Sequence, residues 1–257
     1  MILDFYKYQG TGNDFIIVDN RTKTFPKNNI ALISKLCDRH FGIGADGVML
    51  LETHETADFR MIYYNADGTQ TMCGNGARCI VAFAKYLGII DSKTNFMAHD
   101  GEHYAEISDG IVSLHMIDVD EVKVNNHYVF ADTGTQHHVQ MVNDLTDYPV
   151  YEQGKKIRYD VYGVPGSNVN FVQQIDNKTF RVRTYEKGVE DETLACGTGV
   201  TAVALAMHAT KKTTENNLTL PVEGGTLSVS FNEHNGSYSN IYLSGPATFV
   251  FKGQISI

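Results

Sequence analysis

Two short runs carry reactive chemistry: Cys73-Gly74-Asn75-Gly76 and Cys196-Gly197-Thr198-Gly199. After each, apolar residues recur at helical spacing. They are Ile80, Phe83, Ala84 and Leu87 in one case, and Val200, Val203, Ala204 and Met207 in the other. Each cysteine therefore stands at a helix start. The first backbone N–H groups of a helix have no internal partners and lie at the positive end of its dipole. Such an end binds a carboxylate, and it makes a neighbouring thiol more acidic. The glycines let the backbone approach a ligand closely. Two such ends facing one anion suit one reaction: a proton leaves one face of a carbon and another returns on the opposite face. Inversion of an α-amino acid centre requires this, with one sulfur as thiolate and the other as thiol. A cysteine in a reduced protein is more often a small buried hydrophobe. That reading fits Cys37 and Cys79, which lie in apolar helical patterns. Packing gives no reason for Gly-x-Gly to follow a cysteine twice.

The elements that must position these thiols repeat. Phe59–Asn65 (FRMIYYN) resembles Phe180–Glu186 (FRVRTYE), and both read as strands. A polar loop, the cysteine block and a helix follow each. Strands then lead to hairpin signals at Asp109-Gly110 and Asn235-Gly236. Upstream, Gly12-Asn13-Asp14-Phe15-Ile16 echoes Ser167-Asn168-Val169-Asn170-Phe171-Val172. A helix-like stretch near Asn29–His40 has no counterpart at that place in the second half. The expectation is an α/β (mixed α+β) fold of two pseudo-symmetric lobes from an internal duplication. Each is a mixed sheet around a helix, the lobes span about 1–117 and 118–246, and the active site lies in the cleft between them.

Composition narrows the function. The chain has 257 residues, 42% of them apolar and 20% charged, as in an ordinary globular protein. A formal net charge of −9 argues against a nucleic-acid binder or an anionic-membrane binder. The apolar stretch near Cys79–Ile90 is interrupted by Lys85 and is shorter than the ~20 residues a bilayer needs. Residues Met1–Lys7 lack a signal-peptide pattern. Four cysteines without a CxxC pair suggest a reduced, cytoplasmic setting. Gly42-Ile43-Gly44-Ala45-Asp46-Gly47 matches GxGxxG, but a helix-like stretch precedes it and a strand follows. It reads as a tight turn, not a dinucleotide site. His137-His138 has no ligand pattern around it, so no metal is expected. Glu190-Asp191-Glu192 reads as a solvated loop.

These blocks carry a resemblance to the diaminopimelate epimerases, amino-acid epimerases that work without pyridoxal phosphate. The matching runs are Gly10–Phe15, Gly42–Asp46, Asn65–Gly68, Met72–Arg78 and Glu190–Gly199. The resemblance implies interconversion of LL- and meso-diaminopimelate with no cofactor, and a last strand, about 247–257, that returns to the first lobe. It makes Cys73 and Cys196 the acid–base thiols, with His137 and Glu186 tuning them. Gly74, Asn75, Gly197 and Thr198 would hold the reacting carboxylate. Asn13, Asn65, Asn168, Glu186 and Lys187 would orient the substrate, a small-molecule amino acid. A homodimer is implied too. The sequence departs from the family at Gly134-Thr135-Gln136-His137, where Gly-Asn-Pro-His is usual, and at Glu186-Lys187-Gly188, where Glu-Arg-Gly is usual. Both departures are expected at the far, non-reacting end of the substrate, where lysine loses the bidentate geometry of arginine. A racemase of another amino acid such as histidine is the alternative. A cysteine hydrolase and a small-anion binder stand behind it.

Overall fold

The computed structural model describes residues 1–257. In chain order the elements are β1 (Ile2–Gly10), β2 (Asn13–Asp19), α1 (Ile30–Cys37), β3 (Gly47–Glu52), β4 (Phe59–Asn65), α2 (Gly74–Tyr86), β5 (Lys93–Met97), β6 (Glu102–Ser108) and β7 (Ile111–His115). There follow β8 (Val122–Val124), β9 (Val129–Asp132), β10 (Gln136–Met141), α3 (Val150–Asp160), β11 (Asn168–Gln174), β12 (Phe180–Glu186), β13 (Asp191–Thr193), α4 (Gly197–Ala209), β14 (Asn217–Val222), β15 (Gly225–His234), β16 (Ser237–Pro246) and β17 (Thr248–Ser256). The chain divides into two compact units, one of Met1–Leu114 with Gly245–Ile257 and one of His115–Ser244.

In the first unit the strands run in the order β7-β6-β5-β4-β3-β2-β1-β17. The run Val48-Met49-Leu50-Leu51 is apolar on both sides, which suits a strand parallel to its neighbour and covered on both faces. β3 is accordingly parallel to β2 and buried throughout. Helix α2 packs on β1 to β4 through Ile80, Phe83 and Ala84. β17 pairs antiparallel with β1, from Ile2 opposite Ser256 to Gln9 opposite Thr248.

The second unit has a six-stranded sheet, β13-β12-β11-β10-β9-β8, and a meander of β14, β15 and β16. Helix α4 (GTGVTAVALAMHA) is small or apolar all round, the composition of a helix buried on every side. Val200 to Met207 are all within 1% of full burial, in one core with Val139, Val172, Val182, Leu220, Val229 and Leu243.

The duplication runs deeper than the sequence comparison indicated. Each unit has a hairpin (β1–β2, β9–β10), a helix (α1, α3), a strand parallel to the hairpin's second strand (β3, β11), its antiparallel partner (β4, β12), a helix after the cysteine (α2, α4) and a meander. Two sequence expectations change as a result. The stretch near Asn29–His40 does have a counterpart, α3, at the same place. And β2 matches β10, not β11. Phe15 pairs with Gly47 and His137 with Asn168, so the partner of Asn13 in the duplication is Thr135. Thr11-Gly12-Asn13 and Thr133-Gly134-Thr135 are the true repeat, each turning on a glycine in the left-handed region, with φ of 89° and 100°. The acidic run also differs from a solvated loop. Glu192 takes both arms of Arg183, at 2.6 and 2.7 Å, and Glu190 pairs with Arg158 at 3.1 Å. The run Gly42–Gly47 is indeed a turn, with Gly44 at a φ of 82°. A Cβ on Gly42 would lie 1.9 Å from the Lys35 carbonyl oxygen.

Candidate active site

Cys73 is the N-cap of α2. Its extended backbone precedes the helix, and its sulfur accepts the Gly76 N–H at 3.4 Å. Gly74 opens the helix and Asn75 follows it. The Asn13 Oδ1 lies 3.4 Å from both the Cys73 sulfur and the Asn75 Nδ2. The orientation of the Asn13 amide is set behind it. Asp46, which can only accept, takes its Nδ2 at 2.5 Å. Asp46 is paired with Arg39 at 2.8 Å, and Asp14 with Arg39 and Lys7 at 2.7 and 2.6 Å. Burial opposes ionisation of Asp14, but the Arg39 and Lys7 hydrogen bonds outweigh it and hold its carboxyl down to about 2. The Gly42–Asp46 turn therefore fixes Asn13 rather than a nucleotide. Asn65 ends β4 and ties the following loop by donating to Thr69 and Thr71 hydroxyls at 3.0 and 3.2 Å.

Cys196 is the N-cap of α4, and Gly197 opens that helix. Its sulfur lies 3.6 Å from the Thr198 hydroxyl. Thr198 meets the Thr135 hydroxyl at 3.1 Å, and Thr135 meets the His137 Nε2 at 2.9 Å. On the other side of the ring, Nδ1 lies 3.1 Å from the Asn170 Nδ2. Asn170 accepts from Thr184 through Oδ1, so its Nδ2 donates to His137 and to the His138 carbonyl. Nδ1 is then the acceptor and Nε2 carries the proton, assigned from this network. His137 is fully buried. Burial first, and the charge of Lys187 second, pull its pKa down to about 3, so the ring is neutral. A neutral relay thus runs from His137 through Thr135 and Thr198 to Cys196. Asn168 opens β11, donates to Thr135 at 3.3 Å and accepts the Lys187 N–H at 2.8 Å. Lys187 Nζ rests on the Pro165 carbonyl at 3.3 Å. Glu186 ends β12, half-buried. Burial raises its pKa.

The second glycine of each Cys-Gly-x-Gly is a packing requirement. A Cβ on Gly199 would lie 2.4 Å from the Asn170 Oδ1 and 3.2 Å from the Cys196 sulfur. On Gly76 it would meet the Met49 Cε at 2.5 Å. Cys37 and Cys79 are core residues whose pKa burial raises, to about 11 for Cys37.

The family model described as diaminopimelate epimerase matches residues 5–123 and 129–250. The chain belongs to the diaminopimelate epimerase family. The chain is 59% identical over 256 residues to a diaminopimelate epimerase of Flavobacterium psychrophilum, covering 98% of this chain and 100% of that one. It is 43% identical to that of Chlorobaculum tepidum, covering 96% and 99%. Two solved structures share the fold: a Bacillus anthracis phenazine biosynthesis protein of the PhzF family (TM-score 0.80, 14% identity, 100% of both chains) and a hydroxyproline epimerase from Agrobacterium vitis (TM-score 0.69, 16% identity, 100% and 93%). An epimerase is an isomerase, and the hydrolase and anion-binder readings do not describe a chain of this family. No helix is long and apolar enough to cross a membrane.

Membership of the diaminopimelate epimerase family sharpens the reading of Thr135. The sequence comparison put this departure at the substrate's far end. The structure puts it beside Thr198, two residues from Cys196, in the place that Asn13 holds in the other unit. Asn170 and Asp46 were missed as site residues. The signal for Asn170 was a polar residue inside the apolar run Val169-Asn170-Phe171-Val172. Asp46 lies in the matching run Gly42–Asp46, but its partner Asn13 is 33 residues away, so no local pattern pointed to its role.

Proposed function

We propose that this chain interconverts LL- and meso-diaminopimelate by acid–base chemistry at two thiols, Cys73 and Cys196. The duplicated arrangement carries the reading: each unit has a cysteine as N-cap of a helix that opens with glycine. One sulfur, as thiolate, takes the α-proton. The electron pair left on carbon spreads onto the carboxylate. Backbone N–H groups at Gly74 and Asn75, and at Gly197 and Thr198, hold that carboxylate and stabilise the added charge. The other sulfur, as thiol, gives a proton to the opposite face. Reversal exchanges the roles. Asn13, Asn65, Asn168 and Glu186 orient the substrate, and Lys187 takes its distal carboxylate. His137 and Glu186 tune Cys196, His137 through Thr135 and Thr198. The carboxylate and its donors serve as the electron sink, so the mechanism calls for no cofactor.

A homodimer and a cytoplasmic location complete the proposal. Supporting the first, Phe249, Val250 and Phe251 are 43–50% exposed on β17, an edge strand. Supporting the second, both thiols must stay reduced, which the cytoplasm ensures.

Incubation with LL-diaminopimelate in deuterated water tests the mechanism. The α-hydrogen is expected to exchange with inversion, and Cys73→Ala and Cys196→Ala each to lose inversion by more than ~100-fold. Full inversion by either variant would overturn it. A parallel panel of histidine, lysine and glutamate is expected to show no inversion.

A further inference from the structure

Arg78, in the second turn of α2, has the largest fully buried side chain in the protein. Its Nη2 donates to the Thr11 hydroxyl and to the Asn75 Oδ1, both at 3.1 Å. Its Nε and Nη1 have no hydrogen-bond partner. A guanidinium stays charged under all ordinary conditions, and burying one beside two neutral groups is costly. The corresponding residue of the second unit, five positions after Cys196 as Arg78 is after Cys73, is Thr201. It donates to the Gly197 carbonyl at 3.0 Å and carries no charge. The duplication is therefore asymmetric in charge at this position.

We propose that Arg78 is a positioning residue that holds Asn75 and the Thr11 turn against the start of α2 and makes Cys73 the more acidic of the two catalytic thiols. This rests on the two-thiol reading. Arg78 takes the Oδ1 of Asn75, which turns the Nδ2 of that amide toward Asn13. Asn75 is a proposed carboxylate-binding residue, so the cation sets its orientation. A Cys73 thiolate would favour the charged form of Arg78 against its burial, and by reciprocity the guanidinium favours that thiolate. Cys79 is fully buried and stays a thiol, which leaves Cys73 as the group that responds.

Other groups around Cys73 pull both ways. The Gly76 N–H favours thiolate, and the Asn13 Oδ1 favours thiol. The Asp46 and Asp14 carboxylates behind Asn13 are matched by Arg39 and Lys7. The field of a full charge decays more slowly with distance than that of a neutral amide dipole, so the guanidinium acts on Cys73 without touching it. In the other unit His137 is neutral and burial favours the uncharged form of Glu186; the one cation acting on His137 is Lys187, whose ammonium is held by the Pro165 carbonyl rather than by a residue of the Cys-Gly-x-Gly turn.

The test is alkylation of the whole protein with iodoacetamide from pH 5 to 9, with rates read separately at residues 73 and 196 by mass spectrometry. In the unaltered protein the midpoint for Cys73 is expected below that for Cys196. Arg78→Gln is expected to raise the Cys73 midpoint, leave that of Cys196 in place and lower kcat about 10-fold. Arg78→Lys, which keeps the charge, is expected to restore much of the Cys73 midpoint. A midpoint for Cys73 at or above that of Cys196 in the unaltered protein overturns the proposal, and needs no variant to fold. So does a folded Arg78→Gln whose Cys73 midpoint does not move. If α-hydrogen exchange of diaminopimelate proceeds with both thiols essential while these midpoints contradict us, only the role of Arg78 fails. If exchange is absent, the two-thiol reading itself fails.

Discussion

Asn13 and Thr135 occupy the same point of the two repeated hairpins, each directly after Thr-Gly with the glycine at positive φ. Each also reaches toward the cysteine of its own unit. Asn13 touches the Cys73 sulfur directly, whereas Thr135 works through Thr198. The duplicated frame is thus kept while the contact has diverged. The shorter threonine needs an intermediary hydroxyl.

Thr135→Val should break the relay. The valine keeps the shape and removes the only hydroxyl that joins His137 to Thr198. The buried Nε2–H would lose its acceptor, at a cost of about 1–3 kcal/mol. A fall in kcat of about 10-fold or more with a smaller change in KM is expected. Thr135→Asn restores the residue that Asn13 supplies in the other unit and should keep most of the activity. Steady-state kinetics of both variants decide the point. Equal loss in both would show that the hydroxyl itself, not the hydrogen bond, is what Cys196 needs.

The two Cys-Gly-x-Gly glycines should differ in their tolerance of alanine. In Gly76→Ala the new methyl meets the end of Met49, a flexible side chain. In Gly199→Ala it meets the Asn170 Oδ1, an amide locked by Thr184, His137 and the His138 carbonyl. Gly199→Ala should cost about 2–3 kcal/mol of stability and Gly76→Ala about 1 kcal/mol or less, by denaturant melts. The reverse order would show that the Asn170 network is softer than it looks.

The legibility of this protein in its sequence followed the locality of the signals. The cysteine blocks, the helices after them and the Asp109-Gly110 and Asn235-Gly236 turns are each decided within a dozen residues, and the structure has them in place. Helix α3 is different. Its buried stripe is Val150, Gly154 and Arg158, one apolar residue among three, so hydrophobic periodicity cannot reveal it. Gly154 is there because Tyr185 packs 2.3 Å from where a Cβ would be. The acidic run at 190–192 looked solvated because its pairing depends on β13 folding back on β12, which brings Glu192 to Arg183, and on α3, which supplies Arg158. The equivalence of Asn13 and Thr135 was hidden by a single change of side chain. Of the candidate site residues, Asn13, Gly74 and Asn75 cluster at Cys73, and His137, Asn168, Gly197 and Thr198 at Cys196.

The edge strand β17 offers a test of self-association. Val250 is half exposed, while Phe249 is braced against Tyr86 and Tyr8, and Phe251 against Phe5. Val250→Lys should therefore leave the unit folded and place a charge in the proposed dimer contact. Light scattering after size exclusion is expected to show a dimer for the unaltered chain and a monomer for the variant. A monomer in both cases would remove the homodimer from the proposal.

Acid should destabilise the second unit well before any carboxylate cluster fails. His137 and His138 are both buried, and burial chiefly pulls their pKa values down, to about 3 and about 4. In the unfolded chain each would titrate near 6.5. Their folded values are depressed, so the unfolded state binds more protons in the window from about 6.5 down to 4. Stability is then fully present above about pH 6.5 and falls as pH drops through that window. Each histidine approaches a limiting slope of about 1.4 kcal/mol per pH unit, and because the unfolded ring is only half protonated at pH 6.5 the two together should cost about 2 kcal/mol between pH 6.5 and 5.5. Asp14, with its lowered value, loses its contribution only below about pH 4, which separates the two effects. The chain has no Trp, so far-UV circular dichroism in urea is the appropriate measurement. His138→Phe keeps a ring stacked on Tyr128, 4.4 Å away, while removing one titrating group. Its pH slope should be about half that of the unaltered chain, whatever its absolute stability. An unchanged slope would mean that His138 is already charged in the folded protein.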